Sequence, residues 1–460
     1  MTIQVKNCDY LNGLSSSTTI PDNGKAAASS SDAGRPSKTD EEAKLLTLAS
    51  LVATGKFNEF VLSAQKLDFS GIPHARRAHL ANCIFTACSE SILAKSATSS
   101  PLAEALLQLL VSLTPNETLA HELSRGSSRQ NTLLNLNYAQ KINPSVSGVV
   151  FFREFMFGPG SRKHEFGYRI QSALASQGWN VSLLPLQEIT HYSSSRQNDF
   201  VLVDILAFKN VSPVDFDKIR NFLSHLKCFF RKIIIIEPDP WTGLYDEMLR
   251  AVSSHVDYLW GFTADWDMTK EPGYRTKSIL FPNVGGFDHL VNLRQRDLDW
   301  STCTFNFTGS VQGYNLNRTY WILESISRNL PIEIKITQPD FDDGLDRESS
   351  LQLYAQSLAS THASLNMTTR KDGSRIITGR ATEVISLNRL LIQESCAAFQ
   401  HYFIDGEHFL EFNDINGLCT VVEFLRSHPK VAQMICSQGH QFYHERYSCK
   451  KLVEHIQTLL

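Results

Sequence analysis

Apolar runs of strand length alternate with amphipathic stretches of helix length between residues 144 and 297. The runs SGVVFFRE, VSLLPL, DFVLVDIL and KIIIIEPD are mostly apolar, as in strands buried on both faces. The stretches YRIQSALASQGWN and VDFDKIRNFLSHLKCFF have apolar residues at helical spacing, and a further helix is predicted from Tyr245 to His255, before the strands VDYLWGF and KSILFP. Strands that alternate with helices form parallel sheets, so a Rossmann-like domain is predicted over residues 144–297.

The same alternation begins again after residue 297. Strands are predicted at CTFNFTGS, IEIKIT and ASLNM, with helices at RTYWILESISR and ESSLQLYAQSLAST and a C-terminal series of helices ending in CKKLVEHIQTLL. Residues 298–460 are therefore expected to form a second Rossmann-like domain. Two consecutive doubly wound domains leave a cleft at the carboxyl ends of their strands, where open α/β sheets bind ligands. The expected fold class is thus α/β, with two such domains facing a cleft.

The pattern upstream of these domains is different. Residues 41–143 have apolar positions at helical spacing and no strand pattern, which predicts an all-helical region. Residues 1–40 are rich in Ser, Ala, Gly, Thr and Asp and have few large apolar side chains. Such a segment buries too little surface to offset its ordering entropy, so a disordered tail is expected. The helical region is a candidate surface for a protein partner.

Composition and charge narrow the class of protein. The hydrophobic fraction of 42% and the charged fraction of 20% are typical of a soluble globular protein, and the net charge of -3 provides no basic surface for nucleic acid. The N-terminus lacks a secretory signal and no apolar run is long enough to cross a bilayer, so a cytoplasmic protein is expected. Nine cysteines without a C-x-x-C pair or zinc-ligand spacing predict reduced thiols and no metal site.

The stretch GSRIITGRATEVISLNRLLIQES, residues 373–395, combines arginines with the start of an apolar helical pattern. Arg375 and Arg380 lie just before and at the opening of the helix, and Glu383 is expected in its first turn. One interpretation is a helix start stabilised by an acidic side chain, with ordinary surface arginines. The other is an anion site, because backbone N–H groups at a helix start and guanidinium groups together bind phosphate. The stretch alone leaves both interpretations open.

Several segments in one order resemble a known family. The series FTGSVQGYNLNR, LYAQSLASTHASLN, GRATEVISLNRLLIQES and FIDGEHFLEFND resembles, across residues 303–455, the C-terminal domain of GT-B glycosyltransferases of the glycosyl transferase group 1 or CgeB-like subset. In the first domain, ILFPNVGGFDH is similar to the segment that closes the corresponding domain in many such enzymes. The resemblance implies the GT-B fold, with an acceptor domain at 144–297 and a nucleotide-sugar donor domain at 298–460.

The resemblance also implies how the donor is bound. A turn at Gly309 lets the backbone approach the diphosphate, and Arg318 reaches the same phosphates. Glu383 corresponds to the glutamate that holds the ribose hydroxyls, and Arg380 to the arginine three residues before it. Arg375 stands where many retaining relatives have a second glutamate, a departure that affects the contacts to the donor sugar. The donor-binding candidates are Gly309, Arg318, Lys371, Asp372, Arg375, Arg380 and Glu383.

Candidate catalytic residues come from the first domain. The loop FGPGSRKHEFGYR carries His164 and Glu165, which the resemblance places on the acceptor side to position a hydroxyl or act as base. Asp239 ends a strand on the cleft side and either contacts the acceptor or caps a turn between prolines. The loop lacks the third glycine of a dinucleotide fingerprint, which disfavours a nicotinamide enzyme. Asp265 and Asp267 are interpreted as surface acids rather than metal ligands.

The predicted function is transfer of a sugar from a nucleotide-sugar to a glycan, lipid or protein acceptor. The nucleotide-sugar is a co-substrate, no metal or other cofactor is expected, and retention of configuration is only what the resemblance implies. Two alternatives remain: a binding protein on a GT-B shell that has lost turnover, and a sugar-nucleotide isomerase or epimerase. Release of nucleoside diphosphate from a donor distinguishes the three.

Overall fold

The computed structural model describes most of the chain from residue 133 onward. The described residues are 133–134, 136–152, 166–205, 216–237, 253–261, 278–282, 286–288, 290, 298–309, 316–336, 347–369 and 375–460, with Thr47, Leu48, Leu51, Glu59 and Ser63 upstream. The predicted tail, nearly all of the predicted helical region and most of the predicted helix from Tyr245 to His255 lie outside them.

Six parallel strands form the first sheet. They are β1 (Ser147–Phe152), β2 (Asn180–Pro185), β3 (Asn198–Asp204), β4 (Phe230–Glu237), β5 (Tyr258–Gly261) and β6 (Ser278–Leu280), in the order β2-β1-β3-β4-β5-β6. Every neighbouring pair is parallel. The six strands predicted for this domain are confirmed.

Five parallel strands form the second sheet. They are β7 (Phe305–Gly309), β8 (Ile332–Ile336), β9 (Ala363–Asn366), β10 (Leu390–Glu394) and β11 (Leu410–Phe412), in the order β11-β10-β9-β7-β8. The chain leaves β7 for β8 on one side and then returns to β9 on the other side. Such a reversal of strand order opens a crevice at the carboxyl ends of the strands. The predicted fold class, α/β with two doubly wound parallel sheets, is confirmed.

Eight α-helices have bounds within the described residues. They are α1 (Phe166–Ser176), α2 (Phe216–Leu226), α3 (Leu316–Ser327), α4 (Arg347–Ala359), α5 (Gly379–Ser386), α6 (Ile415–Ser427), α7 (Pro429–Arg446) and α8 (Cys449–Gln457). Helix α2 ends before the predicted stretch does, because a turn follows Leu226 and β4 begins at Phe230. None of the helices in these ranges has both the length and the apolar character needed to traverse a bilayer.

The first sheet has a separate core on each face. Val150 and Leu202 face α1, whereas their neighbours Val149 and Val203 face α2. This alternation follows the two-residue period of a strand. Helices therefore cover both faces, which explains why the strands are apolar at successive positions.

The last helix of the chain packs in the core of the first domain. Leu452, Val453 and Ile456 of α8 share a buried cluster with Ile170 of α1. The Tyr258 hydroxyl of β5 also donates to the Leu459 carbonyl at 3.1 Å. Helix α8, although it belongs by sequence to the second predicted domain, thus completes the first.

Candidate functional site

The switch point of the second sheet brings together three donor-binding candidates. Gly309 is the last residue of β7, Arg318 lies in the first turn of α3, and Arg380 is the second residue of α5. Helix α3 follows β7 and α5 follows β9, so both helices begin at the carboxyl edge of adjacent parallel strands. The predicted grouping of these residues is therefore visible in the structure.

Arg380 lies directly against Gly309. A Cβ atom placed on Gly309 would be 2.8 Å from both Nη1 and Nη2 of Arg380, closer than side chains normally approach. The guanidinium also lies over the Phe307 ring, with Cζ 5.4 Å from the ring centroid. A residue larger than glycine at position 309 would therefore push the arginine away from this ring.

A second guanidinium lies over the same aromatic ring. Arg318 Cζ is 5.9 Å from the Phe307 centroid, and Nη2 donates to the Met367 carbonyl at 3.4 Å. Burial, followed by the charge of Arg380, lowers the pKa of Arg318 to about 10. Arg318 remains charged at neutral pH, so two like charges are held close together. An anion bound by both would offset their repulsion, which gives this site the electrostatics of a phosphate site.

Tyr354 of α4 connects this arginine pair to Glu383. Its hydroxyl accepts a hydrogen bond from Arg380 Nη2 at 3.1 Å and donates one to Glu383 Oε2 at 2.8 Å. Burial is the main cause that raises the pKa of Tyr354 to about 12. The phenol therefore keeps its proton at neutral pH, and only the protonated form can donate to the carboxylate.

Glu383 does not lie in the first turn of its helix. Helix α5 begins at Gly379, after an extended residue, Thr378, so Glu383 is its fifth residue and the first turn contains no acidic side chain. The prediction of a first-turn glutamate is wrong because the helix begins at Gly379, two residues before the apolar pattern starts at Ala381. The helix dipole therefore does not explain the position of Glu383, and its side-chain contacts must.

Glu383 is buried, and its two oxygens bind residues on different elements. Oε1 accepts from Arg169 Nη1 of α1 at 2.5 Å, and Oε2 accepts from Tyr354. The side chains of Arg169 and Glu383 are only 2% and 5% exposed. The Arg169 guanidinium also lies over the Phe287 ring, 5.2 Å from its centroid. A buried ion pair therefore joins the first domain to α5 of the second.

The segment that closes the first domain is fixed beside this ion pair. The Phe287 backbone N–H donates to the Ser386 hydroxyl at 2.9 Å, and Asp288 accepts from the Tyr443 hydroxyl at 2.6 Å and from the Cys449 backbone N–H at 2.9 Å. These bonds tie the segment to α5, α7 and the start of α8. These hydrogen bonds therefore hold Phe287 and Asp288 in place next to the ion pair of Arg169 and Glu383.

Arg375 and an unpredicted carboxylate, Glu394, make hydrogen bonds near the carboxyl end of β10. Arg375 Nη1 donates to the Ser395 carbonyl at 3.0 Å. Glu394, the last residue of β10, is buried and accepts from the backbone N–H groups of Thr368 at 2.7 Å and Thr369 at 2.9 Å. These bonds connect Thr368 and Thr369, which follow β9, and Arg375 to the end of β10.

The sequence predictions did not include Arg169, Glu394 and Tyr354, although the first two have a visible signal. Arg169 is a charged residue within the apolar helical pattern YRIQSALASQGWN, and Glu394 ends the apolar strand LLIQE. Tyr354 sits in a predicted helix, where an aromatic residue most often belongs to the core. A charge at a position expected to be buried is the signal that identifies the first two.

The remaining predicted site residues lie outside the described residues and stay predictions. They are Lys371, Asp372, His164, Glu165 and Asp239, together with the discounted pair Asp265 and Asp267. Among the residues that are described, no three His, Cys, Asp or Glu side chains are grouped so as to hold a metal ion.

Comparison with known proteins identifies the second domain. Residues 318–458 match the family described as "Glycosyl transferase-like". This range contains Arg318, Tyr354, Arg375, Arg380 and Glu383. The match confirms the predicted resemblance of this domain to glycosyltransferases. No curated protein matches the sequence.

Solved glycosyltransferase structures are similar to the chain at low identity. Sucrose-phosphate synthase from Thermosynechococcus elongatus has a TM-score of 0.46 at 8% identity and covers 68% of this chain and 98% of its own. Anabaena HepE, in complex with UDP and glucose, has a TM-score of 0.45 at 8% identity with the same coverage of both chains. A glycosyltransferase from Rickettsia africae has a TM-score of 0.44, again at 8% identity, 68% and 98% coverage. Similarities of this size say nothing about which ligand this chain binds.

Proposed function

We propose that the protein transfers a sugar from a nucleotide-sugar donor and binds the donor diphosphate at Arg318 and Arg380. The observation that supports this most strongly is the pair of guanidinium groups over one Phe307 ring, beside Gly309 at the strand switch point. Guanidinium groups bind phosphate oxygens in pairs of parallel hydrogen bonds. A diphosphate carries enough oxygens to engage both arginines at once.

The proposed chemistry needs this positive charge. As the bond between the anomeric carbon and the diphosphate oxygen lengthens, negative charge develops on the leaving diphosphate. Donors held in place before the reaction stabilise that charge, and loss of one such group typically costs about 3 kcal/mol of transition-state stabilisation. Arg318 and Arg380 are held in place in this way, because both side chains lie against the same aromatic ring and each makes a hydrogen bond, to the Met367 carbonyl and the Tyr354 hydroxyl.

The proposed role of Glu383 in binding ribose must be compatible with its present partners. Oε1 is bound by Arg169, and Oε2 accepts one hydrogen bond from Tyr354. Each carboxylate oxygen has two lone pairs, so a ribose hydroxyl can donate to Oε2 if the side chain becomes accessible. If a ribose hydroxyl donates to Oε1, then Oε1 must accept from both the ribose and Arg169, or the Arg169 side chain must move away.

The acceptor side belongs to the same proposal. We propose a glycan, lipid or protein acceptor, with His164, Glu165 and Asp239 as the first-domain residues that contact it. Lys371 and Asp372 remain proposed donor contacts, and reaction without a metal and with retention of configuration remains part of the proposal. The predicted helical region is a proposed surface for a protein partner.

A thermal-shift panel of UDP, GDP, ADP, CDP and inorganic diphosphate tests the donor site. A ligand that binds only the folded protein raises its melting temperature with concentration. We expect at least one nucleoside diphosphate to do so, and Arg318→Gln and Arg380→Gln each to reduce the shift. Arg220→Gln is the matched control, because Arg220 is exposed and pairs with Asp217 on α2. If no diphosphate shifts the wild-type protein, the proposed function is wrong.

One observation favours a binding protein as the second candidate. Arg375 stands where the resemblance places a second glutamate in many retaining relatives, and it donates to the Ser395 carbonyl. Incubation with the sugar form of the nucleotide that gives the largest shift distinguishes these functions. Release of nucleoside diphosphate supports a transferase, binding without release supports the second candidate, and an altered sugar still linked to its nucleotide indicates an epimerase.

A further inference from the structure

We infer that Tyr354 is a positioning residue that holds Arg380 in the orientation needed to bind a diphosphate. The inference rests on the proposed function, since it concerns the same site. It depends on the position of the Tyr354 hydroxyl, which lies 3.1 Å from Arg380 Nη2 and 2.8 Å from Glu383 Oε2. Tyr354 comes from α4, so it adds a third helix to a site where α3 supplies Arg318 and α5 supplies Arg380.

Arg380 needs such a partner because the like charge of Arg318 repels it. Arg318 lies over the same ring with a like charge. Within the described residues, the hydrogen bond made by Arg380 is the one to the Tyr354 hydroxyl, and its buried Nε has no partner there. An arginine side chain has several rotatable bonds, so without the hydroxyl this one could turn away from Arg318.

Glu383 fixes the direction in which the hydroxyl acts. The Tyr354 proton is directed at a buried carboxylate, which leaves the oxygen lone pairs of the phenol facing Arg380. Glu383 is in turn paired with Arg169. The chain of contacts from α1 through Glu383 and Tyr354 therefore ends at Arg380 and sets its position before a ligand arrives. Interactions arranged in advance of binding cost less ordering entropy when the ligand binds.

Tyr354→Phe removes only the hydroxyl and tests the inference with inorganic diphosphate as the probe. We expect calorimetry to show about tenfold weaker diphosphate binding, the effect of one lost hydrogen bond to a charged group. Tyr258→Phe is the matched control. It removes a hydroxyl that donates to the Leu459 carbonyl in the first domain, so diphosphate affinity should stay unchanged.

A double-variant cycle separates positioning from a general structural effect. In the Arg380→Gln background, Tyr354→Phe should weaken diphosphate binding no further, because the residue it positions is absent. Equal weakening in both backgrounds would show that Tyr354 acts on the fold rather than through Arg380, and equal binding by wild type and Tyr354→Phe would also overturn the inference. If wild type binds neither inorganic diphosphate nor any nucleoside diphosphate, the proposed function fails instead.

Discussion

Replacing Arg169 with methionine should destabilise the protein far more than loss of a surface ion pair does. Methionine keeps much of the length of the side chain but leaves the Glu383 carboxylate buried, with the Tyr354 hydroxyl as a remaining donor. Removing one member of a buried pair typically costs 3–5 kcal/mol, because an uncompensated charge stays in a medium of low dielectric constant. The surviving hydrogen bond offsets part of that cost, so we expect a loss of about 3 kcal/mol.

Urea denaturation followed by tryptophan fluorescence measures this loss. With a slope of about 3 kcal/mol/M, a change of ~3 kcal/mol moves the midpoint by about 1 M. Arg220→Met is the matched control, because the Arg220 and Asp217 side chains are 46% and 84% exposed and their pair should contribute less than about 1 kcal/mol. Arg169→Met combined with Glu383→Gln should recover most of the stability, since the neutral amide leaves no unpaired charge.

The reasoning would be refuted by a loss in Arg169→Met as small as that in Arg220→Met. Such a result would mean that water reaches Glu383 and solvates it once the arginine is gone. It would also be refuted if the double variant were no more stable than Arg169→Met, because the cost could then not come from an unpaired carboxylate.

Three further predictions concern other parts of the molecule. Gly309→Ala places a methyl group where the Arg380 guanidinium now lies, so calorimetry should show diphosphate binding about tenfold weaker, ~1.4 kcal/mol, with the urea midpoint nearly unchanged. Unchanged affinity would contradict the close approach. Pulse alkylation with peptide mapping should modify the exposed Cys228 well before Cys449, because burial raises the pKa of the Cys449 thiol and little thiolate is present to react. Equal labelling would show that α8 detaches readily. Leu452→Ala, at a fully buried position in α8, should cost 2–5 kcal/mol in urea denaturation, and a cost below about 1 kcal/mol would place α8 outside the core.

The strands could be predicted from the sequence because a strand that is buried on both faces is apolar at successive positions. Runs such as IIII in β4 contain no polar position, so they do not show the spacing of an amphipathic helix. Strand β11 has only three residues, next to charged and polar positions, so no periodicity identifies it. The start of α5 was misplaced for a related reason: the apolar pattern shows which face is buried but not where the extended backbone ends.

The site was predictable only where its residues are close in sequence or match a family pattern. Gly309, Arg318 and Arg380 fall into that class, and the structure brings them together. Arg169 and Glu383 are separated by 214 residues, and no local pattern relates an arginine on one helix to a glutamate on another. Tyr354 could not be distinguished from a core aromatic residue, because its role depends on what its hydroxyl touches.

The position of α8 has a consequence for synthesis of the chain on the ribosome. Leu452, Val453 and Ile456 belong to a cluster that includes residues of strand β1, so the earlier domain lacks part of its interior until α8 has been made. At typical rates of translation the second domain takes on the order of ten seconds to be made. During that interval the nascent first sheet carries an uncovered apolar face, where a chaperone could bind until α8 arrives.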